Sequence, residues 1–114
     1  MNYTLNRYQA EALRTASFHK DKPVEERLAV FALGVAGEAG EVADLVKKVV
    51  GHGHPLDRQK LIKELGDVLW YVSVLTSMLG VELEEVAITN IAKLQARYPS
   101  GFSTQASLNR PKEG

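Results

Sequence analysis

The chain is predicted to be all-α, a small four-helix bundle completed by homo-oligomerisation. Three observations predict this. Apolar residues recur at helical spacing through most of the sequence, and no stretch reads as a convincing strand. Helix punctuation falls at the ends of those stretches: Thr4 and Asp57 as N-caps, Gly80 and Pro99 as stops. Between Leu65 and Leu79 the only charged residue is Asp67, so one helix is apolar nearly all round and needs neighbours on every side. Three further helices of one chain do not supply them, so a homo-dimer or homo-tetramer is expected.

The first helix is expected from about Thr4 to Ser17, with Leu5, Tyr8, Ala12 and Leu13 on one face. HKDKP, residues 19–23, breaks the pattern, and Pro23 stands near the next N1 position. The second helix runs from about Val24 to Val50 on a stripe that includes Leu28, Phe31, Val35, Val42, Leu45 and Val49. Gly34, Gly37 and Gly40 interrupt it, each a helix penalty of about 1 kcal/mol relative to Ala, which points to close approach of another backbone or a kink. GHGHPL, residues 51–56, reads as a loop. Asp57 then caps a third helix over about Arg58 to Leu79, and a fourth follows over about Glu82 to Arg97. The domain is therefore placed at residues 1–98. Residues 99–114 are polar, with Gly and Pro, and read as a tail that is mobile or wraps a partner subunit.

Composition narrows the function. With 14 Lys and Arg against 14 Asp and Glu, the formal net charge is zero, which argues against holding a nucleic acid polymer on a broad basic surface. There is no cysteine, so disulfides and thiolate metal sites are excluded. The opening MNYTLNRYQAEALRTA has no apolar core of a signal peptide. The longest uncharged run, Val68 to Val81, falls short of the roughly 18 apolar residues of a membrane span. A cytoplasmic location is expected.

The informative stretch is GEAGEVADLVKK, residues 37–48. Glu38, Glu41 and Asp44 stand three apart on one helical face, where like charges repel. Glu38 and Glu41 have no basic residue within four positions, and Glu38 lies beside the apolar stripe, where an unpartnered carboxylate suffers desolvation. KELGD supplies a second pair, Glu64 and Asp67, for which ion pairs with Lys60 and Lys63 are the plain alternative. A short loop joins the two helices, so they should lie antiparallel and bring four carboxylates together. Hard oxygen donors in that number suit Mg²⁺, with Mn²⁺ as a substitute. Asp44 is either an outer ligand or the partner of Lys48.

GEAGEVADLVKK followed by KELGDVLWYVSVL resembles the MazG-type nucleotide pyrophosphohydrolases of the all-α NTP pyrophosphatase superfamily, over about Tyr8 to Phe102. The family signature is E-x-x-E, a spacer, then E-x-x-D, matched here by Glu38, Glu41, Glu64 and Asp67. The resemblance implies hydrolysis of a (d)NTP to the monophosphate and pyrophosphate, Mg²⁺ on the four acids, and helices completed across subunits. The catalytic base is expected to be Glu38 or Glu41. NIAKLQARYPSGF resembles the family's C-terminal region, and makes Asn90, Lys93 and Arg97 candidates to touch phosphate. Lys48, on the face of Glu41, is a further candidate, although it also suits a helix end.

Candidate base contacts are Tyr8, Gln9, Arg14, Trp70 and Tyr98; Trp70, within the apolar helix, reads rather as core. His52 and His54 lack a third ligand nearby and do not read as a metal site. A di-iron bundle would need a His at a fixed offset from each acid pair, and none is there. The competing reading is a non-catalytic helical interaction module with its acids on the surface.

Overall fold

The computed structural model describes residues 2–16 and 20–110. Among these residues five α-helices follow one another: α1 Leu5–Ala12, α2 Val24–His52, α3 Arg58–Met78, α4 Leu83–Arg97 and α5 Thr104–Leu108. A 3₁₀ turn, Leu13–Thr15, continues α1; Ser17, the expected end of the first helix, lies outside the described residues. There is no strand among the described residues, only an isolated bridge between Pro99 and Gly101. The fold class is the expected one, all-α.

The caps are local chemistry. Thr4 accepts a hydrogen bond from the N–H of Arg7 at 3.0 Å, and Asp57 one from Lys60 at 3.1 Å. Gly80 ends α3 in the left-handed region, φ 76°. Two boundaries differ from expectation. Pro23 is the N-cap of α2 rather than its first residue. The helix also runs through Gly51 and His52, because Gly53 (φ 72°), not Gly51, takes the left-handed turn. The N–H groups of Gly53 and His54 then both donate to the Lys48 carbonyl. Within residues 99–114, expected as a tail, Ser103 accepts from Ala106 N–H at 3.0 Å and starts α5.

α2 and α3 form an antiparallel hairpin, the most extensive helix pairing in the chain. Its register is fixed where Phe31, Trp70 and Tyr71 meet: Trp70 and Tyr71 stand edge-on at 4.9 Å, and Phe31 lies 6.0 and 6.2 Å from them. Gly34 is there because Tyr71 is. A Cβ on Gly34 would sit 2.1 Å from Tyr71 Cε1. Gly37 and Gly40 have no such neighbour, so close approach explains one glycine of the three. Trp70 donates its indole N–H to the Ala12 carbonyl (3.2 Å) and to Thr15 Oγ1 (2.9 Å), which fastens the end of α1 to α3.

α1 also caps α4. The link before α4, residues 79–82, holds no Ser, Thr, Asp or Asn, and the N-cap, Glu82, makes no capping bond. Gln9 serves instead, accepting from Leu83 N–H at 2.7 Å while donating to Ser77 Oγ (2.9 Å) and the Val81 carbonyl (3.0 Å). Asn6 accepts from Glu84 N–H at 3.3 Å. Gln9 is only 8% exposed, so its amide is spent on the fold and is no base contact. Replacing it with Ala leaves the Leu83 N–H and Val81 carbonyl without protein partners and should cost about 2–3 kcal/mol in chemical denaturation.

The core of one chain is thin. Ala12, Phe31, Val74 and Leu83 are its buried apolar side chains among the described residues, while Leu33 (72%), Val50 (82%) and Leu79 (71%) are open to solvent. The radius of gyration is 17.1 Å, against about 13 Å for a compact domain of this length. No described helix is long and apolar enough to cross a membrane.

Candidate metal centre and active site

The aromatic register sets the acids. Gly34 faces Tyr71; one turn along each antiparallel helix come Glu38 on α2 and Asp67 on α3, and a further turn on α3 brings Glu64. One carboxylate oxygen from each of Glu38, Glu64 and Asp67 lies within 4.8 Å of the others. Glu38 and Glu64 are half-buried, and Asp67 is exposed. Burial, then the charges of Asp67, Glu64 and Glu41, push the Glu38 pKa above its ordinary 4.5. Three anions so close, two of them half out of water, form an arrangement that a cation would relieve. The oxygens around an octahedral Mg²⁺, bonded at about 2.1 Å, stand roughly 3–4 Å apart, a spacing these side chains approach. The donor set, all carboxylate oxygen, fits a hard divalent ion.

Glu41 stands outside this group of three. It lines an adjoining cavity of about 310 Å³, together with Glu64, Asp44, Lys48, His54 and Lys60. Asp44 is engaged by Lys47 at 3.1 Å and Lys48 at 3.0 Å, which hold its pKa below the ordinary value. Of the two expectations for Asp44, the structure therefore has the lysine pairing. Lys48 reaches the cavity wall while so paired.

α1 adds one group to the acids. Tyr8 is half-buried, and burial, then the charge of Asp67, raise its phenol pKa. Tyr8, a base-contact candidate on the apolar face of α1, thus lies close enough to Asp67 to feel its charge. Arg14 is exposed on the 3₁₀ turn, and Trp70 belongs to the aromatic core.

α4 supplies no residue to the acid cavity. Asn90 and Lys93 line a separate hollow of about 340 Å³ with Val81 and Val86. Arg97 buries its Nε and one Nη without a hydrogen-bond partner and lies 5.9 Å from the centre of the Tyr98 ring. Tyr98 in turn packs 5.2 Å from Phe102. The candidate phosphate residues of α4 and the acids are therefore not brought together within one chain.

An all-α hairpin on which three of the four motif acids converge defines a class of carboxylate-lined helical proteins suited to a divalent cation. The model of the MazG nucleotide pyrophosphohydrolase domain matches residues 28–102, and the chain belongs to that family. The match takes in both acid pairs and α4, and begins after α1. Among relatives, the chain is similar to the Gene 37 protein of Mycobacterium phage L5, 39% identical over 89 residues, covering 75% of this chain and 78% of that one. It is also similar to the Uncharacterized protein YvdC of Bacillus subtilis (strain 168), 36% identical over 70 residues, covering 54% and 66%. No solved structure matches.

Proposed function

We propose that the protein is a Mg²⁺-dependent nucleoside triphosphate pyrophosphohydrolase, converting a (d)NTP and water to the monophosphate and pyrophosphate. The observation that carries this reading is the convergence of Glu38, Glu64 and Asp67 in a chain of this family. A divalent ion on those acids, with Mn²⁺ able to replace Mg²⁺, would offset phosphate charge and acidify a water. Glu38, Glu64 and Asp67 hold the ion and so orient the phosphates. Glu41 has no place in that group and lines the cavity beside it, so its carboxylate is available to take the proton of the attacking water. The water oxygen bonds to the α-phosphorus, the bond to the bridging oxygen breaks, and pyrophosphate leaves.

In this reading Asn90, Lys93 and Arg97 reach substrate across a subunit boundary, since they do not reach the acid cavity of their own chain. The exposed Leu33, Val50 and Leu79 and the large radius of gyration support a homo-oligomer. Light scattering should accordingly give a mass of two or four times 12.6 kDa. A mass of one chain would remove α4 from the site.

The test of function is purified protein against the eight common NTPs and dNTPs with Mg²⁺, Mn²⁺ or EDTA. Pyrophosphate release that EDTA stops is the expected result. Orthophosphate release would mean that a different bond is cut. No release, together with no Mg²⁺ binding, would favour the interaction module.

A further inference from the structure

The GHGHP motif takes no part in the acid cluster, yet the fold carries one of its histidines into the adjoining cavity. α2 closes at Gly53 in the left-handed region, and the His54 N–H donates to the Lys48 carbonyl at 3.1 Å. That bond turns the chain back, so that His54 lines the same cavity as Glu41 and Glu64. His52, on the last turn of α2, does not line it, although the two rings lie 6.2 Å apart.

The polar groups of this cavity divide by what already engages them. Asp44 holds Lys48, and Asp57 caps α3. Glu41 and Glu64 lie at the end nearest the acid cluster. Two groups able to carry positive charge remain, His54 and Lys60, and neither makes an ion pair among the described residues. Lys60 is one helical turn from Glu64, toward the start of α3, and Lys48 two turns from Glu41, toward the end of α2. Apart from Asp44, held by Lys47 and Lys48, and Asp57, which caps α3, the lining thus runs from the carboxylates of Glu41 and Glu64 to Lys48 and Lys60 one to two turns away, toward the loop that bears His54.

We propose that His54, with Lys60 beside it, forms a subsite for the terminal phosphates of the substrate, the part that leaves as pyrophosphate. The assignment rests on the pyrophosphohydrolase reading for the direction in which the chain of phosphates lies. An anion there meets an imidazole N–H and an ammonium, charge-assisted donors of the kind that bind phosphate oxygens. With the α-phosphate at the acid cluster, the two outer phosphates extend along the cavity toward these donors.

The experiment uses the full chain as His54→Ala, His54→Gln and His52→Ala. Inorganic tripolyphosphate with Mg²⁺ is titrated by calorimetry, and KM and kcat are measured on the best nucleotide. Loss of His54 should weaken tripolyphosphate binding and raise KM about tenfold, the effect of one charge-assisted hydrogen bond, with kcat changed less than about threefold. His54→Gln, which keeps a donor, should recover most of the affinity, and His52→Ala should match wild type. Wild-type KM and wild-type tripolyphosphate affinity in His54→Ala would overturn the subsite while leaving the reaction intact. Binding that depends on His54 in a protein that releases no pyrophosphate would keep the subsite and remove the reaction. A wild type that neither hydrolyses nor binds tripolyphosphate would overturn both.

Discussion

Glu38→Gln should abolish pyrophosphate release, by at least about 100-fold, and at the same time make the metal-free protein harder to melt. The two effects have one cause. In the metal-free state Glu38 is an anion held half-buried beside Asp67, Glu64 and Glu41, and the amide removes both its desolvation and its share of the repulsion. The same amide is a poor ligand for Mg²⁺. A surface carboxylate of an interaction module would show neither effect.

The pH dependence has a definite sign. The folded-state pKa of Glu38 lies above the ordinary 4.5. Between 4.5 and that higher value the folded protein holds more protons on Glu38 than the unfolded chain does, so stability falls as pH rises through this window. Asp44 works in the opposite direction and in a separate window. Lys48 and Lys47 hold its pKa below the ordinary 3.8, so its contribution is complete above 3.8 and is lost as pH falls through the folded value. Thermal melts in EDTA should therefore show wild type losing stability just above pH 4.5, and Glu38→Gln showing a flatter profile there. Added Mg²⁺ should raise the midpoint of wild type and not that of the variant. A variant that melts and titrates like wild type would take Glu38 out of the cluster.

Gly34→Ala is the second large effect, and it falls on stability. The new Cβ would stand 2.1 Å from Cε1, 2.3 Å from Cδ1 and 2.6 Å from Cζ of Tyr71. The ring has little freedom to give way, being edge-on to Trp70 at 4.9 Å and 6.2 Å from Phe31. Overpacking of this kind costs about 2–3 kcal/mol, which lowers the midpoint by roughly 10 °C or more in a chain of this size. Gly51→Ala, whose Cβ meets nothing within 4 Å, should show none of this loss and, by helix propensity, gain up to about 1 kcal/mol. Because Gly34 and Tyr71 set the register of α2 on α3, Gly34→Ala should weaken Mg²⁺ binding too. Equal melting of the two variants would contradict the close approach.

What could be read along the chain was whatever depends on near neighbours in sequence. Thr4, Asp57 and Gly80 terminate helices through groups within a few residues, and all three act where the punctuation put them. The i,i+3 spacing of Glu64 and Asp67 places both on one face whatever packs against it. Where two local signals compete, reading becomes harder: Gly51 and Gly53 are both capable helix ends, and the left-handed turn at Gly53 settles the matter two residues later than expected. Ser103 obeys the same capping rule as Thr4, although Gly and Pro stand around it in a polar stretch.

Contacts between distant segments carry no periodic signal, and those were decided by packing. Gln9 looks like any polar residue on an amphipathic helix until Leu83, 74 residues on, needs a partner for its N–H. Gly34, Gly37 and Gly40 are alike in sequence, and only the position of the Tyr71 ring makes the first different. Of four acids with the same motif logic, helix register gathers three and leaves Glu41 on the cavity wall. Tyr8 and His54 join the neighbourhood of those acids because α1 crosses α3 and because α2 turns back at Gly53. Helical spacing declares which residues share a face; which face meets which depends on side-chain volumes and unmet hydrogen bonds that come together only when the chain is folded.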